Sequence, residues 1–295
     1  MTLDHSAGAI SVEKLGPPDL VEVFGFLDRD PVLNVYLLAL TLRDGLANPR
    51  DEYWGARRDG ELVGLLHLGT QSGATLPIAD DPGPQQALAE QTLARLERLP
   101  RRFQVIGPRN ATKAVVRRLA REDLAPRVVR DQTYMSLERG ALRPFDRLPQ
   151  LRRAAREDLA LVYESGADLR AEELEEDPRV VDPAGYAKRV DEECRDGYTY
   201  LWLDGAELAF RASVSAQTPD AAQVSGVYTP RPLRNRGYAR RGLSELCARL
   251  LDTSRAVCLF VNDFNAPAIA VYRRMGFRDL AEWASAFYVP HRERA

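Results

Sequence analysis

Residues 233–242 read LRNRGYARRG, with four arginines in the eight positions 234–241 around Gly237. The stretch joins a short strand pattern, AQVSGVYT (222–229), to a long amphipathic helix pattern, NRGYARRGLSELCARLLDT (235–253). A strand that passes through a glycine-containing loop into a helix start is a ready anion site. The first amides of a helix have no partner within it, and the macrodipole places partial positive charge there. Glycine lets a phosphate reach the backbone with no Cβ in the way. Arg234, Arg236 and Arg240 add charge-assisted donors. The plain alternative is a helix start with solvated arginines. The stretch is neither the GxxxxGK[ST] of a P-loop nor the GxGxxG of a dinucleotide fold.

At 295 residues the chain suits two domains of about 150 residues each. Apolar residues make up 45% and charged residues 28%, the balance of a soluble globular protein. A net charge of −2 argues against a whole-molecule nucleic-acid binder. The opening MTLDHSAGAISVEK has no basic or apolar region of a signal peptide, and VLNVYLLALTL (32–42) is too short to span a bilayer. Cys194, Cys247 and Cys258 are odd in number and far apart, and His5, His67 and His291 are isolated, so no disulfide framework or zinc spacing emerges. The expectation is a cytoplasmic protein with no metal and no nucleic-acid or membrane partner. Its oligomeric state is open.

The pattern along the chain repeats. Two helical patterns (19–30, 31–45) precede a hairpin, EYWGARRDGELVGLLHLG (52–69), turning at Asp59-Gly60. A helix (84–99), a strand (102–107), a helix (110–123) and a strand (130–140) follow. GALRPFDRLPQ (140–150) reads as a linker. After it come a helix (156–169), a helix with an Asp-Pro start and a glycine end (182–197), and a hairpin at Asp204-Gly205 (198–216). Strand 222–229, helix 235–253, strand 256–263, helix 265–277 and strand 282–289 complete the run. NATKAVVRR (110–118) aligns with NAPAIAVYRR (265–274) with one residue missing. This order predicts a tandem duplication, with domains at 1–142 and 150–295.

Arg234-x-x-Gly237-x-Ala239, after a strand and opening a helix, resembles the pyrophosphate motif [QR]-x-x-G-x-[GA] of the GNAT acetyltransferase superfamily. VNDFNAPAIAVYRRMGF (261–277) resembles that family's second signature through Asn265, Ala268, Tyr272, Gly276 and Phe277. Pro230 also matches the usual strand exit. The resemblance covers about 150–290 and implies an α/β (α+β) fold: two tandem GNAT-like domains, each a mixed, mainly antiparallel twisted sheet flanked by helices. Mycothiol synthase-like proteins share such a tandem arrangement.

The resemblance implies acetyl-CoA as co-substrate. Asn235, Arg236, Gly237, Tyr238, Ala239 and Arg240 would then cradle its pyrophosphate, with Arg234 beside them. Gly226, Val227 and Tyr228 would run along the pantetheine arm, where a backbone amide polarises the thioester carbonyl. Gly226 fits a bulge or a weak strand residue. Tyr272 is the catalytic candidate, as acid to the leaving thiolate; a tyrosine packed in the core is the alternative. Asn265 binds the pantetheine, caps its helix, or does both. The strand AAQVSGVY lacks the glutamate that many members place there as base. Its only polar side chains are Gln223 and Ser225. Glu172, Glu173 and Asp263 are base candidates, with solvated charges as the alternative. Glu172, Glu173, Glu175 and Glu176, in a segment between the two early helices, either attract a cationic amine or form a solvated face.

The N-terminal equivalent of the arginine loop is DDPGPQQALAE (80–90), with acids that repel a pyrophosphate and prolines that supply no amide. Val116 stands at the tyrosine position. This half reads as a degenerate copy that shapes the acceptor site or the interface. The leading function is an acetyl-CoA-dependent N-acetyltransferase acting on a small amine or peptide amine. A non-catalytic acetyl-CoA-binding regulator and a transferase of a longer acyl or aminoacyl group are the alternatives.

Overall fold

The computed structural model describes residues 8–289. Its elements fall in one order twice. The first run is β1 (Ile10–Leu15), α1 (Leu20–Leu27), α2 (Val35–Asp44), β2 (Asp51–Arg58), β3 (Glu61–Gly69), β4 (Ala74–Ile78), α3 (Pro82–Ala94), β5 (Phe103–Pro108), α4 (Arg109–Ala120) and β6 (Val128–Glu138). The second is β7 (Arg152–Arg153), α5 (Leu159–Leu174), the short α6 (Pro178–Val181), α7 (Pro183–Asp196), β8 (Thr199–Asp204), β9 (Glu207–Gln217), β10 (Ala221–Tyr228), α8 (Tyr238–Thr253), β11 (Ala256–Asn262), α9 (Ala266–Met275) and β12 (Arg278–Tyr288).

The repetition reaches local chemistry. In each run a single 3₁₀ turn leads into the first helix, and its aspartate accepts the amide three residues back. Asp19 accepts from Gly16 and Asp158 from Ala155, both at 2.8 Å. Both Asp-Gly hairpins form. Asp59 and Gly60 take φ of 52° and 87°, the mirror-image turn that matches strand twist. α7 begins where Asp182 accepts from Gly185 N at 3.1 Å and ends at Gly197, as its sequence signals require.

All twelve strands form one sheet, ordered β1-β2-β3-β4-β5-β12-β6-β11-β10-β9-β8-β7. Only β4–β5 and β10–β11 pair in parallel. Each run gives its last strand to the other: β12 lies between β5 and β6, and β6 pairs with β11 from Gln132 to Glu138. α3 and α4 cover the first run with Leu88, Val115 and Leu119, while α8 and α9 cover the second with Leu243, Leu246 and Met275. On the opposite face Val35 of α2 packs against Tyr134, Cys258 and Trp283, across the exchanged strands.

The structure corrects one placement. The segment 170–177 does not lie between helices, because α5 runs on to Leu174 and carries Glu172 and Glu173 on its last turn. Ala171, the glutamates and Leu174 are good helix formers, and the helix stops only at Glu175, where φ turns to 54°.

The linker is pinned to α8 by one buried carboxylate. Glu245, 1% exposed, accepts from Arg147 Nε at 2.8 Å, Leu148 N at 3.0 Å and Arg249 Nε at 2.9 Å. The Arg147 hydrogen bond, helped by Leu148 N and Arg249, pulls its carboxyl down from 4.5 to about 2. A depressed carboxyl adds stability that is whole above pH 4.5 and is lost as pH falls toward about 2. Glu245→Gln should therefore cost about 2 kcal/mol in urea unfolding at pH 7, as for hydrogen bonds to a charged group. The deficit against the parent should shrink in acid. Equal unfolding midpoints at pH 7 would disprove this.

Candidate active site

β10 and β11 pair only where Ala221–Gln223 face Ala256–Cys258. Beyond that point β11 keeps β6 as partner to Asn262, and β10 keeps only β9. Residues 224–228 thus present a free edge towards a widening gap, and among the described residues no strand fills it. Such an edge offers N–H and C=O groups to an extended ligand. The ladder with β9 slips between Ser225 and Tyr228, and Gly226 there has φ 60°. A Cβ on Gly226 would meet nothing closer than Ser213 Oγ at 3.7 Å, so conformation rather than crowding selects glycine. Below this bulge Arg211 is 4% exposed and donates to Val162 O at 3.0 Å.

Past β10 the chain makes a single turn, Arg231–Leu233, and enters α8 through Asn235 (φ 61°) and Gly237 (φ 88°). No side chain caps α8, and nothing lies within 4 Å of a Cβ placed on Gly237. The first amides of α8 therefore face open space. Arg236 stacks on Tyr238 at 5.6 Å, and Tyr238 donates to Asp204 at 2.7 Å. Among the described residues Arg236 and Arg240 have no carboxylate partner. Arg234 does: it meets Glu172 Oε2 at 2.8 Å and donates to Thr229 O at 3.0 Å. Glu172 also accepts from Arg231 at 2.9 Å. Burial works to raise the Glu172 carboxyl, but hydrogen bonds from Arg231 and Arg234 prevail and lower it.

Asn265 caps α9, its Oδ1 accepting from Ala268 N at 3.2 Å. Tyr272 lies two turns on, 8% exposed, with its ring 5.8 Å from that of Phe277. Burial pushes its phenol well above the ordinary range, and the charges of Glu173 and Cys247 push the same way. Among the described residues none hydrogen-bonds its hydroxyl, which stands as a neutral donor.

The other acids are engaged. Glu175 pairs with Arg130 at 2.9 Å and Glu176 with Arg102 at 2.8 Å. Asp263 holds Arg109 and accepts from Thr133. Gln223 is sealed between Ser215 and Tyr134. Of Glu172, Glu173, Glu175, Glu176 and Asp263, Glu173 alone has a carboxylate with no partner among the described residues. Arg130 binds the backbone beneath it, donating to Glu173 O at 3.0 Å, and Arg130 also lies 5.4 Å over the ring of Phe264. No local pattern marks Arg127, Arg130, Arg211 or Phe264 for this place: strand exchange brings β6 to α5, and the β9–β10 ladder brings Arg211 beneath the bulge.

The equivalent opening in the first run is closed. Asp81 pairs with Arg58 at 3.0 Å, and Gln85 donates to Ala79 O and Asp80 O. Pro82 and Pro84 supply no amides. Gly107 of β5 sits so near β4 that a Cβ there would lie 2.9 Å from Pro77 O. His67 is buried against Asp51 at 2.8 Å, while His5 and His291 lie outside the described residues. Among the described residues no three metal-binding side chains are grouped, and no helix is long and apolar enough to cross a membrane.

The second half thus sets a splayed parallel strand pair beside a helix start that no side chain caps and that arginines flank. Residues 167–277 match the model of the Acetyltransferase (GNAT) family, and solved structures of that family share the fold of the chain. A GCN5-related N-acetyltransferase from Sphaerobacter thermophilus is similar in fold, at 18% identity and a TM-score of 0.57, over 94% of this chain and 95% of that one. A tandem GNAT protein from the clavulanic acid biosynthesis pathway gives 19% and 0.52, over 94% and 98%. A GNAT-family acetyltransferase from Colwellia psychrerythraea gives 12% and 0.53, over 94% and 99%. No curated protein matches the chain. The fold is two GNAT-like domains in tandem, and the family match over 167–277 supports acyl transfer as the general chemistry of that segment.

The bulge is testable on stability alone. Gly226→Val places a β-branched residue at φ 60° and should cost about 2 kcal/mol in chemical unfolding. Gly226→Asn, which tolerates that region, should cost clearly less. Equal losses would mean that the backbone there is relaxed.

Proposed function

We propose that the protein is an acetyl-CoA-dependent N-acetyltransferase, in which residues 150–295 carry the chemistry and residues 1–142 are a degenerate copy. The observation that carries this is the coincidence of the free β10 edge with the uncapped start of α8. The first amides of α8, with Arg236 and Arg240, would take the pyrophosphate. Arg234 would stiffen the loop through Glu172, and Asn235, Tyr238 and Ala239 would line the same cradle. The pantetheine would lie along Gly226, Val227 and Tyr228, with an amide at the bulge polarising the thioester carbonyl; one such donor is worth about 3 kcal/mol. Asn265 fixes the start of α9, and Tyr272 would donate to the thiolate as it leaves.

In the transfer a neutral amine attacks the thioester carbon, the N–C bond forms, and the C–S bond breaks. Tyr272 contributes only as negative charge builds on sulfur, so its value lies in turnover rather than in ground-state binding.

Changing Arg236 and Arg240 together to Glu should weaken acetyl-CoA binding by about 1–3 kcal/mol in calorimetry. Pro84→Val, in the closed counterpart, should leave it unchanged. A folded double variant of parental affinity removes the donor-site assignment. Tyr272→Phe should bind acetyl-CoA like the parent while kcat falls roughly 10²-fold, read as thiol release across a panel of amines. A parental rate in that variant would make Tyr272 a packing residue. A parent that binds tightly and turns over no amine would favour a non-catalytic acetyl-CoA regulator.

A further inference from the structure

We infer that Glu173, on the last turn of α5, is the general base that accepts the proton of the attacking amine; this rests on the acetyltransferase reading above. Three positional facts converge on it. Leu169 approaches the Gly226 bulge, with Cδ2 3.9 Å from a Cβ placed there. Glu173 follows one turn later on the same face of α5, so its side chain continues along the gap beside β10. The adjacent Glu172 points instead to the donor loop, where Arg231 and Arg234 consume it.

The second fact is how the turn is held. Arg130 donates to Glu173 O at 3.0 Å and Arg127 donates to Leu174 O, while Glu175 pairs with Arg130 and Glu176 with Arg102. Everything around Glu173 is clamped except its carboxylate. The third is enclosure. Solvent reaches the side chain, yet surrounding protein removes enough water to raise the carboxyl to about 6. The charged and titratable groups that act on it through space are Arg170 and Glu172 of α5, Arg130 of β6 and Tyr272 of α9. The two arginines oppose the rise and Glu172 adds to it, but burial dominates.

The chemistry is balanced. After attack, the nitrogen of the adduct is positively charged and far more acidic than the free ammonium, and it gives its proton to Glu173. As the C–S bond breaks, the thiolate takes the proton of Tyr272. Solvent carries the proton from Glu173 back to the tyrosinate, so one amide and one free thiol result. A base near pH 6 is charged at neutral pH and still able to return its proton.

The test compares the full-length parent with Glu173→Gln and Glu173→Asp, using acetyl-CoA and the amine panel. In the parent, kcat/KM for the free amine should climb with a limb near pH 6. Glu173→Gln should bind acetyl-CoA unchanged, lose roughly 10²-fold in kcat and lose that limb. Glu173→Asp should keep the limb at a reduced rate. A Glu173→Gln enzyme with the parental rate and pH profile overturns the base while leaving the transferase intact. A parent that binds acetyl-CoA but releases no thiol with any amine overturns both. Thermal unfolding gives an independent readout. A carboxyl raised from 4.5 to about 6 binds its proton more tightly in the native state, so the parent should lose stability relative to Glu173→Gln as pH rises through that window. Parallel pH curves for the two proteins would place Glu173 in free solvent and refute the assignment.

Discussion

The exchange of β6 and β12 between the two halves is the constraint on which the rest of the molecule depends. Without it β5 and β11 would each end their sheet with a bare edge. Rows of unpaired amides and carbonyls would then sit in the middle of the protein, which is both costly and an invitation to wrong pairing. With it, β12 is paired on both sides from Trp283 to Phe287, and β6 from Gln132 to Ser136. One sheet results, covered by α3 and α4 at one end and by α8 and α9 at the other. The exchange also explains the linker. A chain leaving β6 must cross the second half before starting β7, and Glu245 fastens it on the way by taking Leu148 N and Arg147.

The exchange makes the two halves unequal partners in one site. Both have a parallel strand pair that parts after two or three residues. In the first half that opening is filled by Gln85, by prolines without amides and by the close approach of Gly107 to Pro77. In the second it stays open, with uncapped amides at its mouth. Yet the first half still serves the open site. Arg130 sits on β6 and Arg127 just before it, and the strand exchange brings both to the carbonyls at the end of α5. A copy that has lost the features of a donor site is thereby kept as a wall that fixes the other copy's helix.

Much of the fold was legible in the sequence, for identifiable reasons. Asp-Gly turns, the Asp182-Pro183 start and Gly197 end of α7, and the 3.6-residue periodicity of α3 and α8 are local signals that tertiary context did not override. β4 was not legible, because ATLPI is short and contains Pro77, which ordinarily argues against a strand; Pro77 lies just past the last residue paired with β5. β1 was missed because ISVEKL breaks its alternation at Glu13 and Lys14, and β7 is two residues long. The candidate donor loop was legible as a motif, and the positive φ values of Asn235 and Gly237 supply its physical basis. What no local pattern could reveal was which of four nearby glutamates stays free. That depends on Arg102, Arg127 and Arg130, dozens of residues away, and on a strand exchange that periodicity does not encode.

Glu172 and Glu173 show how sharply such long-range partners divide adjacent residues. They share a helix turn, a residue type and a formal charge. A rotation of about 100° per residue sends one to the arginine loop and turns the other away from it. For both, burial acts to raise the carboxyl. For Glu172, hydrogen bonds from Arg231 and Arg234 outweigh that and hold it as a permanent anion. For Glu173, Arg130 spends its hydrogen bonds on the backbone carbonyl and on Glu175, so only its weaker through-space attraction, with that of Arg170, remains, and burial prevails. Environments that push two neighbouring acids apart are the ordinary physical means of giving one a structural role and the other a proton to exchange. Here the separation is set by which arginine atoms meet carboxylate and which meet main chain.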